Sequence, residues 1–437
     1  MSHLLDTSFP VAPLRRFILE LTDGPFGSSL TSSHYSENGA RVIRLGNIGS
    51  AEFRSDDEAY IPLDYFNSLR RHEVVPGDLI IAGLGDQKHP VGRACVAPTG
   101  LGPAIVKADC FRARLDEIRL LHRYSAWALS SSAISQQILT LTRGTTRARI
   151  NLDLVREIEL PVPSVEEQRR IADFLDAETA RIDSLAALRE RQVRLALTRL
   201  ETLAKRETGR VLVRDIENSP EEWATYPLRR AISGIKTGAT PPSSGPELWV
   251  EDTRPDTVPW YGPSSFQGLM NLGVPVKHLP SDAVTERVVP LFTKGSVLII
   301  GIGATAGKVA YLDHDASTNQ QITALSPERG VSGKFLAWQL WAATQELREL
   351  APYTTLPIIN NDFLKSFPVA MPSADLQSAV ARKLDRAAER VGVLHAAAAQ
   401  ASHLVQERRQ ALITAAVTGQ FDVSTASGRN VTEGVSA

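Results

Sequence analysis

Residues 144–168 read GTTRARINLDLVREIELPVPSVEEQ, and residues 353–377 read YTTLPIINNDFLKSFPVAMPSADLQ. The two stretches align without a gap at a constant offset, from residue 144 to 353 and from residue 168 to 377. Each ends in a Pro-Ser pair followed by a helical pattern, which predicts an N-cap serine at a helix start. Self-similarity of this length indicates a duplicated unit, so the fold is predicted to consist of two related halves.

Shorter segments repeat in the same order along both halves of the chain. The strand-like stretch VVPGDLIIAGLG at 74–85 matches LFTKGSVLIIGIG at 291–303, and YSAWAL at 124–129 recurs as FLAWQL at 335–340. The motif PLRR also occurs twice, and each copy is followed eight residues later by a glycine, Gly24 or Gly238. The duplication therefore extends through the globular part of each half.

A long helical segment follows each repeated block. In the second half, apolar residues step by fours and threes: Val380, Leu384, Ala387, Val391, Leu394, Ala398, Ala401, Val405 and Leu412. In the first half the equivalent stripe is Ile171, Leu175, Ile182, Leu185, Ala196 and Leu203, with polar interruptions. Helices of about 40 residues would be roughly 60 Å long. Each stripe needs a partner, and the other copy is the simplest one, in an antiparallel pair resembling a coiled coil.

The predicted fold class is α+β, with two similar mixed α/β domains separated by two long antiparallel helices in a pseudo-two-fold arrangement. Short β-branched runs bounded by Gly and Pro indicate the strands of the two domains. The loops between matching blocks differ, which suggests two sites for different versions of one kind of ligand. The predicted segments are a first domain at 1–162, a helix at 163–208, a second domain at 209–371, a helix at 372–420 and a disordered tail at 421–437.

The bulk composition is that of a globular protein. The chain has 437 residues and a formal net charge of −1, and none of its apolar runs approaches membrane length. Its first residues lack a basic region followed by an apolar core, so a signal sequence is not expected. The two cysteines, Cys95 and Cys110, are too few for a disulfide framework and are interpreted as core residues. A cytoplasmic location is expected.

The stretch GSVLIIGIGATAGK at 295–308 looks like a strand that leads into a phosphate-binding loop. However, Ile302 stands where the Walker pattern needs its first glycine, and Val309 stands where it needs Ser or Thr. The dinucleotide pattern fails as well, because its third glycine comes one residue late. Since the strand recurs at 74–85 without phosphate-binding features, a structural turn is favoured over a nucleotide site.

At several of these segments the chain resembles the DNA-specificity subunit of a type I restriction-modification system. The resemblance rests on DGPFGSSL (23–30), VIRLGNIG (42–49), GDLIIAGLG (77–85), LPVPSVEEQRRIADFLDAETARID (160–183) and ERRQALITAAVTGQFDV (407–423). It implies two target-recognition domains that each read half of an interrupted duplex DNA target, joined by helices that dock partner subunits.

The resemblance also implies that the chain is not itself an enzyme and binds no cofactor. Two methyltransferase subunits would supply AdoMet and adenine N6 methylation, and motor-nuclease subunits would supply ATP- and Mg-dependent translocation and cleavage. The residues agree, because the chain contains no Asn/Asp-Pro-Pro-aromatic segment of an amino-methyltransferase, no His-Glu-x-x-His and no Gly-x-Ser-x-Gly.

Candidate DNA contacts in the first domain are basic. Arg143, Arg147 and Arg149 lie in TRGTTRAR at the domain edge, and Lys88 and His89 lie in the insert GDQKHPVG. Arg and Lys suit guanine edges and phosphates. The alternative interpretation, a solvated charged loop, applies to both groups.

Candidates in the second domain are more varied: Lys236, Thr237, Trp260, Tyr261, Lys308, Asn319 and Gln320. The amides have adenine-reading chemistry, and the aromatic pair has the chemistry to stack on a base. A buried aromatic pair and an Asn-rich turn are the competing structural interpretations.

Two other functions fit the same sequence. A structural scaffold or antirestriction decoy would bind the partner subunits without reading DNA, and the near-neutral charge favours it. An ATP-binding protein that uses the glycine loop is a third hypothesis. Neither the DNA target nor its spacer length follows from the sequence.

Overall fold

The computed structural model describes residues 5–86, 88–142, 148–209, 223–242, 249–250, 256–351 and 358–425. The chain divides into two compact units. The first unit consists of residues 1–187 together with 401–437, and the second consists of residues 188–400. Each unit therefore contains part of both long helices, and its sheets come from one half of the sequence.

The helices of the first unit are short except for one that continues into the second unit. They are α1 (Leu63–Ser68), α2 (His122–Leu129), α3 (Ser132–Leu141), α4 (Leu152–Glu157) and α5 (Val165–Glu207). Those of the second half are α6 (Asp282–Thr285), α7 (Gly333–Ala342), α8 (Thr344–Leu350), α9 (Asn361–Ser366) and α10 (Ala374–Thr418). Thus α5 and α10, with 43 and 45 residues, are the two long helices expected from the sequence.

The strands are short in both halves. In the first half they are β1 (Val11–Pro13), β2 (Ile18–Asp23), β3 (Ala40–Ile43), β4 (Tyr60–Ile61), β5 (Glu73–Val74), β6 (Leu79–Ala82), β7 (Ala94–Val96), β8 (Ala104–Val106), β9 (Cys110–Leu115) and β10 (Glu159–Pro161). In the second half they are β11 (Thr225–Pro227), β12 (Ile232–Thr237), β13 (Thr257–Tyr261), β14 (Lys277–Pro280), β15 (Val297–Ile300), β16 (Val309–Tyr311), β17 (Ser317–Thr318), β18 (Ile322–Pro327) and β19 (Pro368–Ala370).

The antiparallel sheets of the two units match strand for strand, whereas among the described residues the mixed sheet has four strands in the first unit and three in the second. The first unit has the antiparallel sheet β2-β9-β6-β7, the mixed sheet β4-β3-β8-β5 and the pair β1-β10. The second has β12-β18-β15-β16, β14-β13-β17 and β11-β19 in the same roles. In each mixed sheet one pair is parallel, β3 with β8 and β13 with β17. The prediction of two similar mixed α/β domains with two long helices is confirmed.

The repeated apolar strand lies between two layers of core. In β6, Leu79 and Ile81 pack into the cluster that includes helix α2, and Ile80 and Ala82 pack into a cluster with the mixed sheet. The four residues of β15 divide between two clusters in the same way. Successive side chains of a strand point to opposite faces, and here both faces are covered. This explains why LIIA and VLII are continuous apolar runs rather than alternating ones.

A buried glutamine attaches the start of each long helix to the domain that precedes that helix in the sequence. The side chain of Gln168 accepts a hydrogen bond from the Leu121 amide at 2.9 Å and donates to the carbonyls of Arg119 and Pro163, each at 2.9 Å. Gln377, its repeat equivalent, accepts from the Ser332 amide at 2.8 Å and donates to a proline carbonyl at 2.9 Å. The two helices therefore leave their domains by the same local construction.

A tryptophan-aspartate bond repeats as well. The Trp127 indole N–H donates to Asp176 at 2.8 Å, and the Trp338 indole donates to Asp385 at 2.9 Å. These bonds attach helix α2 to α5 and helix α7 to α10. Together with the glutamine bonds, they give a structural reason why the same Trp, Gln and Asp residues occur in both halves of the sequence.

Both long helices contribute to each unit, and they run antiparallel within it. In the first unit the start of α5 meets the end of α10, where Phe174 packs on Phe421 and Asp183 lies 3.7 Å from Arg409. In the second unit Lys383 near the start of α10 pairs with Glu207 at the end of α5, at 2.6 Å.

The predicted apolar stripes are buried only in part. Ile171, Leu175 and Leu412 lie in the core of the first unit. By contrast, the side chains of Leu185 and Leu394 are 53% and 36% exposed. Both residues were predicted on the apolar stripes, but the structure does not bury them. A stripe is buried only where a second surface faces it, and periodicity does not report that.

The expected disordered tail begins with ordered residues. Phe421 packs against Phe174 at a centroid distance of 5.6 Å, and Val423 is buried in the first core. The remainder of the tail, from residue 426, lies outside the described residues.

Both cysteines are buried, as expected of core residues. Burial raises the pKa of Cys95 to about 12, and it raises the pKa of Cys110 as well. Within the described ranges, none of the helices combines the length and the apolarity needed to cross a bilayer.

Candidate nucleic-acid interface

Three of the second unit's candidate residues, Thr237, Asn319 and Gln320, lie at one edge of its mixed sheet. Because β13 and β17 are parallel, their carboxyl ends lie side by side. The Asn319 amide donates to the Tyr261 carbonyl at 3.0 Å, and the Ala239 amide donates to the Thr318 carbonyl at 2.8 Å. We call residues 237–240, 262–265, 301–303, 319–321 and 358–360 the second loop edge.

The second loop edge also includes the turn after β15. The Gly301 amide donates to the Gln321 carbonyl at 2.7 Å, and the Ile359 amide donates to the Gly301 carbonyl at 2.8 Å. These bonds join three loops that are remote in sequence into one surface.

The first unit has an equivalent surface. The Gly83 amide donates to the Asp109 carbonyl at 2.7 Å, and the Ile150 amide donates to the Gly83 carbonyl at 2.9 Å. Leu84 pairs with Arg149 as Ile302 pairs with Ile358. We call residues 23–24, 44–48, 83–86, 88–90, 107–109 and 148–150 the first loop edge.

The glycines that follow PLRR are required where two backbones cross. A Cβ on Gly24 would lie 2.1 Å from the Lys107 carbonyl carbon, and one on Gly238 would lie 2.3 Å from the Asn319 carbonyl oxygen. Real Cβ contacts are never this short, so only glycine lets the end of β2 or β12 pass over the neighbouring loop. The repeated glycines thus permit the close backbone contacts within each loop edge.

In the first loop edge, the structure brings Arg149 beside the loop that carries Lys88 and His89. The Gly85 amide donates to the Ala148 carbonyl at 3.0 Å, next to Arg149. Arg149 is exposed and pairs with Asp109 at 2.7 Å. Arg143 and Arg147 lie outside the described residues.

Lys88 and His89 are both exposed, and one carboxylate organises their backbone. The amides of Lys88 and His89 each donate to Asp86 at 2.8 Å. These two bonds, with that of His89 the larger, lower the pKa of Asp86. The loop therefore presents Lys88 and His89 from a turn whose backbone amides bond to the Asp86 carboxylate.

The polar candidates of the second unit lie on its loop edge. Gln320 is exposed and accepts a hydrogen bond from the Thr240 hydroxyl. The Asn319 amide group donates to Gln321 at 3.0 Å, and Thr237 contacts Thr323 at 3.2 Å. Lys236 is exposed on the opposite face of β12 from Thr237, because adjacent strand residues point to opposite faces.

Trp260 and Tyr261 belong to the core. Their exposed fractions are 8% and 3%. The Trp260 indole donates to the Ala239 carbonyl at 3.0 Å and its ring packs edge-on against Trp249, while the Tyr261 hydroxyl contacts His314 at 2.9 Å. The buried-pair interpretation matches this placement, and neither ring offers a face to a base in this conformation.

The glycine-rich loop after β15 uses its amides internally. Gly307 donates to the Ile300 carbonyl at 2.8 Å, Ala306 to Gly303 at 3.0 Å and Lys308 to Thr305 at 3.2 Å. A phosphate loop needs its amides free to wrap the phosphates. The Lys308 ammonium group lies 3.4 Å from the Phe266 carbonyl, on an internal partner. These contacts are those of a structural turn.

Sequence reasoning missed Arg93, whose buried guanidinium bonds to five carbonyls of the first loop edge. A signal was present, since aligning GLG at 83–85 with GIG at 301–303 and continuing to the next glycine pairs Gly92-Arg93 with Gly307-Lys308.

Comparison with known proteins identifies both halves of the chain. The family model for the type I restriction modification DNA specificity domain matches residues 72–191 and again residues 220–395. The two matched regions follow the duplication and together cover more than half of the sequence.

Individual relatives are distant. Over 203 residues the chain is 22% identical to the type I restriction enzyme MjaVIII specificity subunit of Methanocaldococcus jannaschii, which covers 45% of this chain and 46% of the relative. Over 146 residues it is 27% identical to the StySPI specificity subunit of Salmonella potsdam, which covers 33% of this chain and 31% of that one. The chain thus matches less than half the length of each.

A solved structure shares the fold over nearly the full length. A chain from work on complex assembly and conformational transition of the type I R-M system superposes with a TM-score of 0.69 at 19% identity. The superposition covers 94% of this chain and 98% of the other. At that identity the likeness concerns architecture alone.

Proposed function

Because the chain belongs to the family of type I restriction-modification DNA-specificity subunits, we propose that its two domains each read half of a bipartite duplex DNA target. In this proposal the chain is not catalytic. It recruits adenine-N6 methyltransferase subunits, which supply AdoMet, and motor-nuclease subunits, which supply ATP and Mg chemistry.

The duplicated loop edge is the observation that supports the proposal. The backbone bonds around Gly83 and Gly301 are the same, but the side chains that they present differ. Arg149 in the first unit corresponds to Ile358 in the second, and Asp109 corresponds to Gln321. A constant frame with different side chains is what two readers of different half-sites require.

The side-chain chemistry fits base edges. Arginine pairs with guanine and amides pair with adenine, and Arg149 and Gln320 lie exposed on their loop edges. The charges are mixed rather than uniformly basic, since Arg149 pairs with Asp109 and the exposed Asp86 lies in the same loop as Lys88. We therefore expect partner subunits to contribute part of the phosphate contacts, which accords with the near-neutral net charge of the chain.

Exposed apolar residues on the long helices support a docking role. Leu188 and Leu195 on α5 and Leu404 on α10 are all exposed. On a soluble helix, exposed leucines at this density favour contact with another protein. Methyltransferase subunits are the partners that the proposal assigns to them.

The proposal is tested by single-molecule sequencing of N6-methyladenine in host DNA, with and without the gene for this chain. The expected result is an interrupted motif of two short specific parts that disappears with the gene. A continuous motif would contradict two separate readers. Co-purification with methyltransferase subunits without any motif would instead favour the scaffold function.

Arg149→Ala provides a residue-level test in the assembled complex. If Arg149 contacts DNA, its loss weakens binding, and loss of a phosphate contact lowers the slope of log affinity against log salt by about 1. Asp109→Asn is the matched control, because it removes the internal ion pair and keeps the cation. Unchanged affinity and slope for Arg149→Ala would remove this residue from the interface.

A further inference from the structure

The guanidinium of Arg93 links two loops of the first unit from the inside. Nε donates to the Ile48 carbonyl at 2.7 Å, and one terminal nitrogen donates to the Leu45 carbonyl at 3.0 Å. The other terminal nitrogen lies 3.0 to 3.3 Å from the carbonyls of Leu84, His89 and Pro90. Residues 45–48 form the turn after β3 and residues 84–90 the loop after β6, and both belong to the first loop edge.

Arg93 cannot itself contact DNA in this conformation. Its exposed fraction is 5%, and burial lowers its pKa from the ordinary value. The ion pairs found among the described residues do not include it, so its partners are carbonyl dipoles alone. Burying an arginine without a carboxylate is costly, and five converging carbonyls offset that cost only if both loops stay in place.

Lys308 occupies the same position in the second unit. The Gly92 amide donates to the Ala82 carbonyl at 2.8 Å, and the Gly307 amide donates to the Ile300 carbonyl at 2.8 Å. Both glycines have positive φ, 83° and 87°. The cation that follows each glycine then reaches a carbonyl of the turn after the parallel strand, Ile48 for Arg93 and Phe266 for Lys308.

The two cations differ in how much they hold. Arg93 joins two loops through five carbonyls, whereas one hydrogen bond at 3.4 Å attaches Lys308 to a single turn. A planar guanidinium with five N–H groups holds several acceptors at defined angles, which a rotating ammonium group does not do. The loops with Lys88 and His89 therefore depend on Arg93 more than the second loop edge depends on Lys308.

We propose that Arg93 is a positioning residue for DNA specificity in the first domain and that Lys308 is its weaker equivalent in the second. The inference rests on the proposed function. Arg93 determines which base edges the loops at 44–48 and 84–90 can reach, because a shift of about 1 Å in either loop breaks a base-pair-specific hydrogen bond.

The test uses the full chain expressed with its methyltransferase subunits. Arg93→Met, Arg93→Lys and Lys308→Met are each compared with wild type by sequencing methyladenine across a library in which every position of the motif is varied. DNA binding of each complex is measured at several salt concentrations as a second readout.

Arg93→Met is expected to lower discrimination about tenfold in one half-site and leave the other half unchanged. Loss of one base-specific contact has an effect like that of one mismatched base pair, which weakens binding about tenfold or more. Lys308→Met is expected to relax only the opposite half-site, and by less. Arg93→Met is expected to leave the salt slope unchanged, because the buried guanidinium cannot reach a phosphate. Arg93→Lys is expected to keep part of the discrimination that Arg93→Met loses. A lysine ammonium group can still bond one loop carbonyl, as Lys308 does with Phe266.

Three results would overturn the inference. They are an unchanged motif in Arg93→Met, equal loss in both half-sites, and a lower salt slope. If Arg93→Met does not fold, Arg93→Lys is decisive, because it must relax the same single half-site to a smaller degree. A wild-type motif that is not bipartite would refute the proposed function itself, and is visible before any variant is compared.

Discussion

Replacing Gln168 by Met tests whether the start of α5 is held on the first domain by one buried side chain. Gln168 is fully buried, and its amide makes three hydrogen bonds to main-chain groups of Leu121, Arg119 and Pro163. Methionine has a similar length and makes none of these bonds. The substitution therefore leaves one amide N–H and two carbonyls without that partner.

The expected cost follows from the number of groups left unpaired. A buried polar group without a partner costs about 1 to 3 kcal/mol, and carbonyls with a second acceptor site are at the low end. Three groups at about 1 kcal/mol each predict that the free energy of unfolding of the first unit falls by about 3 kcal/mol. In native-state hydrogen exchange this is roughly a 150-fold loss of protection in peptides that cover α2 and the first turns of α5, because 1.4 kcal/mol is a factor of ten.

Gln377→Met is the matched change in the second unit. Gln377 makes two of the equivalent bonds, so about 2 kcal/mol is expected, in peptides of α7 and the start of α10. The reasoning would be refuted if Gln168→Met kept wild-type protection. It would also be refuted if the loss were as large in the second unit as in the first.

Three other predictions concern the first unit. Gly24→Ala should destabilise it by more than about 3 kcal/mol in urea unfolding, whereas Gly100→Ala, whose Cβ meets nothing within 4 Å, should be close to neutral. Burial, with Arg71 nearby, lowers the pKa of His72 below 6.5, so as the pH falls the unfolded chain binds a proton that the native state does not. Stability should therefore fall below pH 6.5, and His72→Gln should reduce that slope by up to about 1.4 kcal/mol per pH unit; an identical slope would contradict the assignment. Cys95 and Cys110 should resist thiol reagents at pH 8 until the chain unfolds, and rapid labelling of the native protein would contradict their burial.

The mixed charge of the loop edges bears on how the chain is expected to find DNA. Arg149 pairs with Asp109, and the loop that carries Lys88 also carries the exposed Asp86, so the isolated chain should bind DNA weakly. Assembly with partner subunits would then precede target recognition. The salt dependence measured for the complex and for the chain alone distinguishes these cases.

The duplication and the two long helices were predictable from the sequence, and the recurrence of a glycine at 24 and 238 was visible there. Each depends on a signal carried by neighbouring residues or by direct repetition, such as periodicity, a Pro-Ser helix start or a repeated motif. The apolar strands at 79–82 and 297–300 were also identified, because continuous burial leaves a continuous apolar run. The repeat of this strand also favoured a structural turn at residues 295–308, and the amides of that turn bond internally.

Only the tertiary structure decided which side chains face solvent and which cations act internally. Leu185 and Leu394 continue a helical stripe but lack a facing surface, while Trp260 and Tyr261, which have base-stacking chemistry, are enclosed by partners remote in sequence. Arg93 looks like a surface cation in the sequence, but the folded loops bury it, whereas Lys308 stays exposed beside one carbonyl. Burial depends on contacts between segments far apart in the chain, and local patterns carry no information about those contacts.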